Sequence, residues 1–456
     1  MSTVRTAARR TFRALSVRNY RLYFAGQVIS VSGTWMQTVA LGLLVLSPTL
    51  HGNGVDVGVV TALQFVPMLL FGGLGGLAAD RLDKRTLLFF TQGSAGALAL
   101  ALGALTLAGA VTMWEVYLLS TLLGVVNLFD NPARQSFVSE MVGRELMPNA
   151  ISLNSVLMNS ARVIGPAIGG ILIYAVGFSA CFLVNAASYV AVIVALALML
   201  PADLYRSPLV ERAKGQVREA VRYVWATPEL REPLLAMAVV GIFAFNFTTT
   251  LPLLAKYTFH GGAGTYSAFT SSMGAGAVIG GLAVAHRSRP SVALLSAIGV
   301  VFGLLILLVS VSPTLPVVMA ALLLMGVASI AFIATANASL QLRAEPSMRG
   351  RVMSLYAIAF LGSTPIGAPL VGWISDASSP RLALLTGGVA TLAACGPLAF
   401  RYLGRRGELR RVVAGRRTEA ADPAAADRSA APSVSPPAAI GTETLRPAAG
   451  GTGSGD

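Results

Sequence analysis

The chain has 456 residues, of which 55% are hydrophobic and only 12% charged, and its mean hydropathy is +0.70. A soluble domain carries about 25% charged residues, so this composition excludes one large soluble enzyme and a disordered chain, and leaves a protein whose solvent is mostly lipid. The 34 Lys and Arg against 20 Asp and Glu give a net charge of +14, but the bases come in short bursts between apolar runs, which suits an anionic membrane surface and not nucleic acid.

A basic arm opens the chain, with Arg5, Arg9, Arg10, Arg13, Arg18 and Arg21 running directly into the first long apolar stretch. It reads as a retained start and not as a cleaved secretory signal. Charge-free windows then follow one another. A helix needs about 20 apolar residues to cross the bilayer core. Breaking the longest windows at Val176–Gly177 and Ser312–Pro313 predicts twelve spans, near 20–46, 55–79, 86–109, 113–132, 147–174, 178–200, 233–255, 264–286, 291–311, 315–338, 350–375 and 382–403. The fold class is therefore an all-α membrane protein of two six-helix bundles. Residues 1–200 form the first bundle with its arm and 201–232 a polar linker. Residues 233–404 form the second bundle and 405–456 a basic tail that becomes disordered.

Alternate loops hold nearly all the bases. The arm, the loops carrying Arg81, Lys84 and Arg85, Arg134 and Arg144, the linker, Arg287 and Arg289, and Arg343, Arg349 and Arg351, and the tail face one side; only Lys256 and Arg381 face the other. This bias predicts that both termini and the linker are cytoplasmic, in the cytoplasmic membrane. One base, Arg162, lies inside the fifth span. Counted from Pro148 it is about 21 Å deep at about 1.5 Å per residue, where an arginine costs about 2.5–3.5 kcal/mol on insertion scales. It should face a cavity and bind an anionic or polar substrate group, or be linked to Asp130, the acid near the inner end of the fourth span and the candidate proton-coupling residue. A backbone-capped structural arginine is the alternative.

Polar residues elsewhere in the spans are candidates for a substrate-binding cavity. Gln27, Ser30, Thr34 and Thr38 lie on one face of the first span. Asn154 in the fifth and Asn246 in the seventh join them; interhelical hydrogen bonding is the competing role for each. Gly72 and Gly76, Gly276 and Gly280, and Gly165 and Gly169 are each four apart, a spacing that permits close helix packing. No cluster of His, Cys or acids suggests a metal site or a membrane-embedded enzyme, and no GxxxxGK[ST] loop suggests ATP. Cofactors are accordingly none.

The two halves repeat. Gly75–Arg85 reads GGLAADRLDKR and Gly280–Pro290 reads GGLAVAHRSRP, at an offset of 205; Gly165–Gly170 reads GPAIGG and Gly367–Gly372 reads GAPLVG, at an offset of 202. Two blocks at nearly equal offset and equivalent helices match the plan of the major facilitator superfamily. GGLAADRLDKR resembles that superfamily's loop signature, with Gly76, Asp80, Arg81, Lys84 and Arg85 on the pattern and Asp83 where glycine is common. GPAIGG resembles the end of its exporter (antiporter) motif, with Gly165, Pro166 and Gly170 matching and the upstream glycines absent. Gly26–Leu46, Asp130–Val142 and Asn154–Gly170 resemble the branch holding enterobactin exporters and some tetracycline and macrolide efflux proteins.

The resemblance implies a proton-driven exporter of a small organic molecule such as a drug, antibiotic or siderophore, working as a monomer in lipid. A proton-coupled importer and a non-transporting receptor on the same fold remain as alternatives. It also implies that Asp80 latches the outward-facing state against the positive amino-terminal end of the eleventh span near Gly350. The repeat puts Ala285 at the equivalent of Asp80, so the latch is one-sided.

Overall fold

A computed structural model of the chain describes residues 12–205, 216–285, 290–346 and 348–421. Most of the basic arm, the middle of the linker, Arg287 and Arg289, and the tail beyond Ala421 lie outside the described residues. The elements described are helices. Eleven of them are long and apolar enough to cross a membrane: α1 (Arg18–Val45), α2 (Gly54–Arg81), α3 (Lys84–Leu107), α4 (Met113–Gly143), α5 (Glu145–Ala175), α6 (Phe178–Ala197), α7 (Pro228–Thr258), and, after α8, α9 (Val292–Val311), α10 (Leu315–Arg343), α11 (Arg349–Ala377) and α12 (Pro380–Tyr402). α8 (Ala263–Ala285) adds a twelfth apolar helix. The described residues from Leu403 on belong to a separate unit and are helical to Ala421.

Local chemistry sets the helix starts. At α2 the Asn53 side chain accepts the Asp56 N–H at 3.0 Å while Asp56 accepts the Asn53 N–H at 2.8 Å, a reciprocal cap. Asp83, the departure from the loop pattern, caps α3 by accepting the Thr86 N–H at 2.8 Å. Ser291 does the same for α9.

Two expected boundaries move. The fourth span does not stop at 132 but runs to Gly143, and α5 restarts at Glu145. The turn between them is Gly143 itself, with φ 70° and ψ 176°, a region open only to glycine. Asp130 and Arg134 are therefore both inside α4. The seventh span begins at Pro228 instead of 233. Its early acids are paired: Glu229 with Arg343 of α10, and Glu232 with Arg401 and the Tyr402 hydroxyl of α12. The helix Gln216–Ala226 of the linker lies against α11 and α7, and its Glu219 accepts a hydrogen bond from Arg351 at 2.6 Å.

Within the first half, α1 packs on α5 and α6, α2 on α4, and α3 on α6. Within the second, α8 and α9 pack on α10, and α7 on α11. Phe245 meets Phe302, Phe332 and Phe360 at the centre of that half, with ring centroids 5.1–6.5 Å apart. Two seams join the halves, α2 with α11 and α5 with α8. The repeat exchanges α2 with α8 and α5 with α11, so it carries one seam onto the other.

The end of the bundle bearing the linker is called here the linker end, and the opposite one the far end. At the far end the halves are held together. Asp376 at the end of α11 accepts the Gly54 and Val55 N–H groups of α2, and Lys256 of α7 donates to the Leu46 carbonyl at the end of α1. At mid-depth Ser271 of α8 donates to the Val163 carbonyl of α5 at 3.1 Å. Toward the linker end no hydrogen bond or ion pair crosses between the halves among the described residues. A side chain added at Gly72, Gly73 or Gly350 would meet nothing within 4 Å.

Candidate functional site

A cavity of about 400 Å³ lies at the centre, lined by α1, α2, α4, α5, α6 and α7. α1 presents Thr34, Trp35 and Thr38 to it, α4 Asn127, Asn131 and Arg134, α5 Met158 and Arg162, α6 Tyr189 and α7 Thr248. A second cavity of about 210 Å³ continues into the other half, among Phe245, Phe247 and Leu251 of α7, Tyr266 of α8 and Phe360 of α11. Trp35, Thr38, Arg162 and Thr248 border both.

The threonines on α1 bond back to their own helix. Thr34 donates to the Ser30 carbonyl at 3.0 Å and Thr38 to the Thr34 carbonyl at 2.9 Å, the usual one-turn back-bond of a helical threonine. Thr34 also meets the Tyr189 side chain of α6 in a hydrogen bond. Arg162 lies over the Trp35 ring, 4.9 Å from its centroid. Its Nε is buried without a hydrogen-bond partner. A cation over an aromatic face gains about 0.5–2 kcal/mol, less than the about 2.5–3.5 kcal/mol that an arginine costs at mid-membrane. The ring alone does not offset that cost.

Asp130 is 1% exposed and faces away from the cavity, toward α3. It accepts hydrogen bonds from Thr91 and Gln92, each at 2.7 Å, and pairs with Arg134 one turn along its own helix. Arg134 in turn donates to Gln27 of α1 at 3.1 Å. Asp130 therefore has an arginine partner, but it is Arg134 and not Arg162. The reason is the length of α4: with the helix extended to Gly143, Arg134 is a membrane-embedded base and not a loop charge.

The expected site residues thus separate. Thr34, Thr38 and Arg162 line the cavity. Gln27 is buried behind it as an acceptor for Arg134, and Ser30 is buried and lends its carbonyl to Thr34. Asn154 is half-buried on α5 and does not border either cavity. Asn246 is 1% exposed and borders neither cavity: it sits where α7 breaks, its Nδ2 donates to the Ile242 carbonyl at 2.7 Å, and its Oδ1 is buried without a partner among the described residues. Sequence reasoning missed Trp35, Gln64, Tyr189 and the α4 stripe. Asn127, Asn131 and Arg134 are spaced 4 and 3 apart, a helical face that a span ending at 132 conceals.

The loop after α2 divides in the same way. Asp80 is half-buried and makes no hydrogen bond or ion pair among the described residues, and Gly76 is half-buried on α2. Arg81 is exposed. Lys84 pairs with Glu140 of α4 at 2.5 Å, both side chains about nine-tenths buried. Arg85 donates to the Leu196 and Ala197 carbonyls at the end of α6, at 2.8 and 3.2 Å, which caps that helix. Lys84 and Arg85 hold the first half together instead of facing the second. In α5, Gly165 and Gly169 lie against α1 at Ser32, Trp35 and Met36, while Gly170 lies against Ser267 of α8. Pro166, between them, is buried.

The sequence profile of the transmembrane secretion effector family matches residues 9–414. The staphyloferrin A transporter of Staphylococcus aureus is 25% identical over 402 residues, 86% of this chain and 97% of its own length. The multidrug efflux pump Tap of Mycolicibacterium fortuitum is 25% identical over 361 residues, 76% of this chain and 87% of its own. Among solved structures, a bacterial homologue of the human lysosomal transporter Spinster, inward-facing and unoccupied, superposes with a TM-score of 0.68 at 14% identity, covering 84% of this chain and 96% of that one.

Proposed function

We propose, from the premise that the chain belongs to the transmembrane secretion effector family of the major facilitator superfamily, that it exports a small organic molecule in exchange for protons. Membership makes it a multi-pass membrane transporter, and not an enzyme. The finer reading rests on the central cavity. A base whose buried Nε has no acceptor among the described residues stands there between two halves that are joined at the far end, with no hydrogen bond between them toward the linker end among the described residues. That is the arrangement of a site exposed to one side at a time. The linker end is the cytoplasmic one on the charge bias of the loops, so molecules enter the cavity from the cytoplasm. Efflux by the relative Tap supports the same direction.

Substrate binds in this scheme at Arg162, Thr34 and Thr38. Asp130 takes the proton. When it is ionised it holds Arg134; protonation removes that attraction, and Arg134 is left to Gln27 and the cavity. Asp80 acts in the opposite state, where closure at the linker end brings it to the first turn of α11. The protein works as a monomer, with each half contributing to the cavity.

Purified protein reconstituted in liposomes with an imposed pH gradient tests this. A panel of drugs and siderophores should include at least one compound moved from the linker side to the far side, with counterflow of protons. Movement in the other direction makes the protein an importer. Transport that ignores the pH gradient removes Asp130 from the scheme. Truncation fusions after Val55 and Arg405 test the orientation and should report opposite sides.

A further inference from the structure

We infer that the cavity selects organic carboxylates with an apolar body, anchored by Arg162 at the junction of the two halves. This deepens the export reading above and rests on it for the site, but not for the direction of transport. Arg134 and Arg162 are the charged residues lining the first cavity, and Arg162 is the charged residue lining the second. Arg134 is neutralised by Asp130. Arg162 is not neutralised, so the space it borders carries one net positive charge in a medium of low dielectric.

A guanidinium has five donors in a planar fork, and a carboxylate matches them two at a time. The guanidinium carbon of Arg162 lies 4.9 Å from the centroid of the Trp35 ring, which supplies no hydrogen-bond acceptor for its N–H groups. The buried Nε has no acceptor among the described residues. Nε itself is covered, so the terminal N–H groups of Arg162 are what a bound anion would use where the residue borders the cavities, together with Thr38 and Thr248, which also border both. Beyond Arg162 the second cavity turns aromatic, with Phe247, Tyr266 and Phe360. A ligand with an anionic head and a flat apolar body satisfies both parts. A cation placed there meets an uncompensated charge, a penalty on the order of a hundredfold in affinity for unit charges about 5 Å apart at an effective dielectric of about 20.

The position also ties ligand to motion. The Arg162 carbonyl lies against Gly274 of α8, and the next residue, Val163, accepts from Ser271. An anion on Arg162 thus pulls on a residue whose own backbone is part of the α5–α8 seam.

The test uses three probes of one shape on the purified full chain in detergent: 1-naphthoate, the neutral 1-naphthamide and the cationic 1-naphthylmethylammonium. Binding is read by tryptophan fluorescence and by thermal shift. Naphthoate should bind and the ammonium should not, with the amide roughly tenfold or more weaker than naphthoate. Arg162→Gln should erase the difference between naphthoate and the amide, and Arg162→Lys should restore part of it. Equal binding of the ammonium and the carboxylate overturns the inference, as does naphthoate binding that Arg162→Gln leaves intact. No naphthoate binding at millimolar concentration also overturns it. The three-probe comparison stands on the unmutated protein even if Arg162→Gln does not fold. Because no gradient is used, a protein found to import would leave this result untouched, and an exporter found to prefer the ammonium would sink it alone.

Discussion

Asp376 closes on Gly54 across 322 residues of sequence, its Oδ1 accepting the Gly54 N–H at 2.7 Å while its Oδ2 accepts the Val55 N–H at 2.7 Å. A carboxylate at the end of α11 thereby caps the first turn of α2, where free N–H groups concentrate positive charge. Asp80 has the mirrored station, at the other end of α2, with the first turn of α11 as its expected partner in the opposite state. The α2–α11 seam carries an acid at each end. The α5–α8 seam carries none: the repeat offsets put Tyr174 at the equivalent of Asp376 and Ala285 at that of Asp80.

Asp376→Ala should loosen the far end. A hydrogen bond to a charged group is worth about 1.5–3 kcal/mol, and about 1.4 kcal/mol is a tenfold change in a population ratio. In a background with Cys181 and Cys395 replaced, a cysteine at Thr38 should become at least several-fold more reactive to an impermeant maleimide applied from the far side. Unchanged labelling would show that Asp376 is not a catch.

Asp80→Asn should act on the opposite state. Transport should fall while membrane expression stays near that of the parent, because a charge facing a helix end is worth about 0.3–2 kcal/mol. The same labelled cysteine at Thr38 should become less accessible from the far side, not more. A variant that transports as well as the parent removes Asp80 from gating.

The Asp130–Arg134 pair should behave as a unit. Removing one partner of a buried pair costs about 3–5 kcal/mol, since the other charge is left unmatched. Arg134→Met should lower the melting temperature in detergent sharply, and adding Asp130→Asn to it should restore part of the loss. Asp130→Asn alone should weaken the dependence of transport on the pH gradient. Additive destabilisation in the double variant would mean that the two residues do not share one interaction.

The architecture was legible in the sequence because apolar run length and loop charge report directly on span number. The cavity was only partly so. Arg162, Thr34 and Thr38 stand out, as an arginine inside a span and a helical stripe of hydroxyls. Arg134 does not, because reading spans as charge-free windows ends α4 at its own ion pair. Asn246 shows the converse failure: a polar residue in a span serves a broken backbone as readily as a cavity, and composition does not distinguish them. Spacing also leaves helix rotation open. Gly72 and Gly76 were matched as a packing face, yet Gly72 faces open space while Gly75 abuts the Leu128 carbonyl.

Gly170→Val should separate the far end from the other side of the molecule. Its added atoms run into Ser267 of α8, so the α5–α8 seam must widen where it is tightest. Gly165→Val meets α1 instead, within the same half. The first should raise far-side labelling of the Thr38 cysteine with the fold retained. The second should lower the yield of folded protein, measured by size-exclusion chromatography. The reverse pattern would contradict the packing described.

The one-turn spacing of Asp130 and Arg134 bears on how the protein is made. Each charge alone would be expensive for the translocon to release into lipid. Because both sit on α4 at i and i+4, they neutralise each other as soon as that helix forms, before α1 or α3 is in place. The segment leaves the insertion machinery with these two charges already matched, and only Glu140 near its end waits for Lys84 of α3. Moving Arg134 to another helix, even with the folded contact preserved, would make α4 enter the bilayer carrying a bare carboxylate.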